Sequence, residues 1–157
     1  MAKNEKKEQP EPKQPEPKQQ VFPLNTVRLC IDTYEKDIKG RVYSKLYDGE
    51  ARFNSCSEML LCIDRLYDAC GYPQNFQEKR SFSEQKEQLR RRPVPKARRT
   101  DEELCKQKGE YRTFNLIVWS RMSAGWQGKL LRHDGTMAGS FTSEMELLGC
   151  ICRELRI

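Results

Sequence analysis

The chain has 157 residues, of which 33% are charged and 36% hydrophobic, and its 29 Lys/Arg against 23 Asp/Glu give a formal net charge of +6. That length suits one ordinary domain or two very small ones. No apolar run approaches the ~20 residues of a spanning helix and no signal-peptide core is present, so a cytoplasmic protein without a membrane segment is expected.

Residues 1–22 read as a disordered tail. The pentad QPEPK occurs twice there, at Gln9–Lys13 and Gln14–Lys18, and the first twenty residues hold no apolar side chain beyond Met1 and Ala2. Such a segment cannot bury enough apolar surface to offset its conformational entropy. The alternation Val27, Leu29, Ile31 then predicts a half-buried strand, and Gly40 to Leu46 a second one. Asp48-Gly49 has hairpin-turn chemistry, and a short third strand should end at Phe53. Ser55-x-x-Glu58 is a capping box, followed by Met59, Leu60, Ile63, Leu66 and Tyr67 at helical spacing. Gly71 before Tyr72-Pro73 should stop this helix.

The same grammar returns 88 residues later. Phe114, Leu116 and Val118 alternate, Gly128 opens a second strand, Asp134-Gly135 marks a turn, and Ser143-x-x-Glu146 caps a run of Leu147, Leu148, Ile151 and Leu155. Residues 40–65 laid on 128–153 match at eight of 26 positions, Gly40/Gly128, Phe53/Phe141 and Cys62/Cys150 among them. This predicts an α+β fold made of a duplicated βββα unit, with two helices packed on antiparallel sheet and pseudo-twofold symmetry. One such unit has too little core to stand alone. The expected units are 23–76 and 111–157, joined by a basic, mobile linker over 77–110.

That linker carries Arg90, Arg91, Arg92, Lys96, Arg98 and Arg99 without an intervening acid. Six phosphate contacts would give a log–log salt slope of about −4 to −5. Trp119, Trp126, Tyr43 and Tyr47 are candidates for stacking on bases, with Arg41, Arg121, Lys129 and Arg132 nearby in sequence. A sheet covered by helices on one face leaves the other free for a single strand. Trp126, between Gly125 and Gly128, reads as a lid on the core or as an interaction anchor.

Enzyme chemistry finds little footing. The single histidine, His133, lies in a predicted turn, and no phosphate-loop, dinucleotide, zinc-protease or nucleophile-elbow motif occurs. The seven cysteines include no C-x-x-C, so reduced thiols without metal are expected, with Cys62 and Cys150 as small core residues.

The run F-N-L-I-V-W-S-R-M-S-A-G-W-Q-G-K-L-L ending in F-T-S-E-M-E-L-L, with I-D-T-Y-E and G-R-V-Y in the first unit, resembles a family of small two-unit proteins from Gram-positive gut anaerobes. The resemblance covers about residues 26–76 and 111–155, and Met122 and Ala124 stand where that pattern carries polar residues. It implies a cytoplasmic bacterial protein and brings no activity.

The sequence therefore predicts a non-enzymatic binding protein with no catalytic residue, metal or cofactor. Nucleic acid is the expected partner, through Arg90, Arg91, Arg92, Lys96, Arg98, Arg99, Arg121 and Lys129. The alternative is an unidentified protein, docked through the Trp126 loop or a sheet edge. Homodimerisation through sheet edges is also open.

Overall fold

The computed structural model describes residues 20–73, 95–121 and 125–157. Its elements run β1 (Thr26–Tyr34), β2 (Ile38–Ser44), β3 (Tyr47–Phe53), α1 (Cys56–Cys70), α2 (Asp101–Lys106), β4 (Arg112–Ser120), β5 (Gln127–Arg132), β6 (Met137–Phe141) and α3 (Glu144–Leu155). The fold is α+β. The six strands form one antiparallel sheet in the order β3-β2-β1-β4-β5-β6, so β1 and β4 meet at its centre.

The predicted alternation places Val27, Leu29, Ile31, Phe114, Leu116 and Val118 on one face, all essentially buried. Helices α1 and α3 cover that face with Met59, Ile63, Leu66, Tyr67, Leu147, Cys150, Ile151 and Leu155, which share one core cluster with the strands. Both helices begin alike. Ser55 Oγ accepts from Glu58 N at 3.1 Å and Ser143 Oγ from Glu146 N at 3.2 Å. The glutamates accept from Asn54 N and Thr142 N, one residue before the cap rather than at the cap. Gly71 ends α1 at φ 64°, as its position predicts.

Two glycines are fixed by close approach. A Cβ on Gly40 would lie 1.9 Å from Cys30 O and 3.0 Å from the Phe53 ring; one on Gly128 would lie 2.0 Å from Ile117 O and 2.9 Å from the Phe141 ring. The phenyl rings occupy the space that a side chain would need, so only glycine fits.

The opposite face of the sheet is partly covered, which the sequence reading missed. Residues 95–110, assigned above to the linker, run across the first half of the sheet. Thr100 caps α2 in a reciprocal box with Glu103, a Thr-x-x-Glu signal as clear as the two that were read. Leu104 of α2 packs with Phe22, Cys30 and Tyr43 in a second, smaller cluster. Burial there pushes the Cys30 thiol up to about 11. The first hairpin also differs from expectation. It turns at Lys45–Leu46, and Asp48-Gly49 lies within β3. Lys45 is drawn inward, with its Nζ 2.6 Å from Phe22 O and 2.7 Å from Asp101 Oδ1, and Leu46 is buried. That anchored pair makes a better corner than the Asp-Gly two residues on. The second hairpin does turn at Asp134-Gly135, with Gly135 at φ 87°.

All seven cysteines are free thiols. Cys150 is buried as expected; Cys62 is half-buried. Their thiols sit alike, Cys62 Sγ 3.5 Å from Arg52 O and Cys150 Sγ 3.8 Å from Ser140 O. No described helix is long and apolar enough to cross a membrane.

Candidate nucleic-acid interface

The expected phosphate contacts separate into three groups. Arg90, Arg91 and Arg92 lie outside the described residues. Lys96 and Arg98 are exposed and Lys129 is half-buried. Arg99 and Arg121 are committed to the protein itself.

Arg99 is part of a strap. The backbone N–H groups of Arg98 and Arg99 donate to Lys45 O at 2.7 and 3.1 Å. The Arg99 guanidinium donates to Gly49 O at 3.1 Å and lies 5.2 Å over the Tyr43 ring. The guanidinium is thereby held against the first half of the sheet.

Arg121 is 3% exposed. Its Nε and Nη2 donate to Pro73 O at 2.9 and 2.7 Å, and its Nη1 to Asp68 and Asp64 at 2.7 and 3.2 Å. It also lies 5.5 Å over the Tyr67 ring. The guanidinium is thus almost wholly buried and bonded within the chain. Trp126, 4% exposed, meets Tyr67 edge to face at 6.2 Å within the main core. It is the lid and not a surface anchor, because its ring closes the core where α1 passes over the sheet end. A loop Trp and a strand-end Arg do not announce burial in sequence; both are enclosed by α1, which lies far away in the chain.

Other candidates are settled similarly. Tyr43 is buried, with its hydroxyl donating to Glu50 at 2.8 Å. Arg41 pairs with Asp32 at 3.0 Å and Arg132 with Glu154 at 2.7 Å. Arg28, on the outer face but 2% exposed, was not anticipated at all. It donates to Asn115 Oδ1 at 2.8 Å and Gln107 O at 3.0 Å, at the C-terminal end of α2 where carbonyls need donors.

What remains open is the outer face of the second half. Trp119 stands at a bulge in β4 between Val118 and Ser120 and is 53% exposed. Lys129, half-buried on β5, pairs in register with Ile117, two residues from Trp119. None of the described ion pairs engages Lys129. The register also fixes where the linker ends. Ser44 is opposite Val27, Thr26 opposite Ile117, and Ile117 opposite Lys129, so the β2–β3 turn and Trp119 lie at the same end of the sheet. Arg98 is tethered to that turn through Lys45, and Lys96 lies two residues before it in the chain. Pro73 is held there as well, by Arg121. With strands ~4.8 Å apart, Ser44 and Lys129 stand about 15 Å apart across the sheet. Arg90, Arg91 and Arg92 precede Pro95 by three to five residues in the sequence.

Among the described residues no cluster of His, Cys, Asp and Glu has the makings of a metal site. Comparison with protein-family models, curated proteins and solved structures gave no match.

Proposed function

We propose that the chain is a non-enzymatic module that binds single-stranded nucleic acid at the outer-face end of its sheet. The carrying observation is the placement of an exposed Trp119 beside Lys129, at the end of the sheet where the basic run 90–98 rejoins the fold. Trp119 is the stacking platform. Lys129, Lys96, Arg98 and the three linker arginines are the phosphate contacts. An indole on an open sheet stacks any base, and dispersed cations follow a flexible backbone, so the expected ligand is a single strand with weak sequence preference.

The scaffold of this reading is a duplicated βββα unit. Matching helix starts, matching Gly–Phe contacts and matching cysteine–carbonyl contacts support it, beside the eight identities. Aligning Val27–Ile31 with Phe114–Val118 makes Arg28 the counterpart of Asn115. Those two residues also face each other in the β1–β4 register, where a pseudo-twofold axis relating the two units would pass. Identical residues there would set two buried arginines against each other. The Arg/Asn pair removes that repulsion and leaves one donor and one acceptor.

The test is fluorescence anisotropy with labelled single-stranded and duplex DNA and RNA over a salt series. The reading expects single strands to bind best. Trp119→Ala should weaken binding by ~1–3 kcal/mol at every salt concentration. Changing Lys96, Arg98 and the three linker arginines to Gln should flatten the salt slope. Absence of binding at low salt, or binding indifferent to Trp119, overturns it.

A further inference from the structure

The two edges of the sheet are unlike. β3 reads YDGEARF, with Asp48, Glu50 and Arg52 along it. Arg99 closes on its Tyr47 and Gly49 carbonyls. Charges and an overlying side chain are the usual means by which an edge is kept from pairing. β6 reads MAGSF. It has no charge and no proline, and its Met137 is 54% exposed. An arginine on a strand carbonyl, with Arg132 Nη1 donating to Met137 O at 2.8 Å in β6, and the cysteine–carbonyl contact are common to both edges, so the strand charges are what distinguish them.

Helix α3 runs beside the β6 edge, and its pattern there is self-complementary. Glu146 is tied to the end of β6 through Thr142 N, and a Cβ on Gly139 would lie 3.5 Å from Arg153 Nη2 and 2.7 Å from Cys150 Sγ. Glu146 and Arg153, both exposed, are therefore on the β6 side of α3, two helical turns apart. Between them is Gly149, where an added Cβ would meet nothing within 4 Å. Gly139, the middle residue of β6, underlies the middle of that helical stretch. A twofold axis just outside the sheet edge beside Gly139, normal to the sheet, would pair β6 with a second β6 antiparallel. It would lay α3 antiparallel to its copy, set Glu146 of each chain against Arg153 of the other, and bring the helices together at Gly149. The opposite edge repeats the charges as Glu58 and Arg65, but has Leu61, 53% exposed, where α3 has Gly149.

We propose that the protein forms a homodimer through β6 and α3, joining two sheets into one and pairing Glu146 with Arg153 across the twofold. The neutral strand favours pairing with itself, since like charges facing each other about the axis would oppose it. The charge pattern then selects the antiparallel alignment.

Sedimentation velocity of the full chain, over a concentration series, should show a species of twice the 18.5 kDa chain mass. Arg153→Glu should weaken self-association at least tenfold by placing Glu against Glu146. Gly149→Lys should do the same, and as a helix-interior glycine replacement into open space it should keep or raise the monomer's stability, so that loss of the dimer is separated from loss of the fold. Leu61→Lys, at the guarded edge, should leave the dimer intact. A wild-type chain that stays monomeric throughout overturns the proposal. So does a dimer that survives both α3 variants with circular dichroism unchanged, or one that Leu61→Lys dissociates.

Discussion

The outer faces of the two halves show what covering a sheet does to its chemistry. Over β1–β3 the face is closed by Phe22, α2 and the strap at 98–99, and its arginines have partners within the chain: Arg28 with Asn115 and carbonyls, Arg41 with Asp32, Arg99 with β3 carbonyls. Over β4–β6 no element corresponding to α2 crosses the face among the described residues, and Trp119 stands exposed. Asp32 and Trp119 occupy corresponding bulges in β1 and β4. One is locked into an ion pair and the other meets solvent. Arg28, Arg41 and Arg99 are building material, so counting every basic residue as binding charge would overstate an interface.

The two tryptophans give the sharpest test of this difference. Trp126→Ala empties a core position and should cost ~3–5 kcal/mol of stability in urea unfolding. Trp119→Ala, seven residues away, should change stability by less than about 0.5 kcal/mol while impairing binding. Equal stability losses would mean that Trp119 is also covered, and the open-face reading would fail.

Next in size is Arg28→Met. The substitution keeps most of the volume but leaves Asn115 Oδ1 and the Cys105 and Gln107 carbonyls without their donor. A loss of about 1–3 kcal/mol is expected, with earlier amide exchange in α2 than in the sheet. Adding Asn115→Leu should recover part of it, because removing both partners costs less than removing one. Uniform exchange across the molecule would show that Arg28 does not hold α2 in particular.

Much of this architecture can be read from the residues, and the exceptions have a common cause. The strands follow from period-two alternation and the main helices from serine caps, both short-range signals. Arg121 was read as a phosphate contact and Arg28 was not singled out, because a positive charge in or beside a strand normally points to water. What encloses them comes from elsewhere in the chain, Gln107 for Arg28 and Pro73 with Asp64 and Asp68 for Arg121. Helix α2 differs, since its Thr100-x-x-Glu103 signal is local. It is only six residues long and follows a run of arginines and prolines, so composition masked it. Trp119 was visible as a stacking candidate; that it alone combined exposure with the open outer face depended on which half α2 covers.

The smallest expected effect lies at the paired bulges. The hydrogen bonds from Arg41 hold the Asp32 carboxyl below its ordinary value, helped by the amide of Glu110. A depressed folded value means that the contribution is fully present above the unfolded value of ~3.9 and is lost as pH falls through the folded one. The wild-type chain should therefore lose stability from about pH 5 downward more steeply than Asp32→Asn, by at most about 1 kcal/mol for a partly exposed pair. Glu154, held low chiefly by Arg132, should give the same sign in the other half. Urea midpoints at successive pH values measure both. A matching slope for wild type and Asp32→Asn would mean that the bulge pair contributes nothing to closing the first half, leaving Arg28 and Leu104 to hold α2.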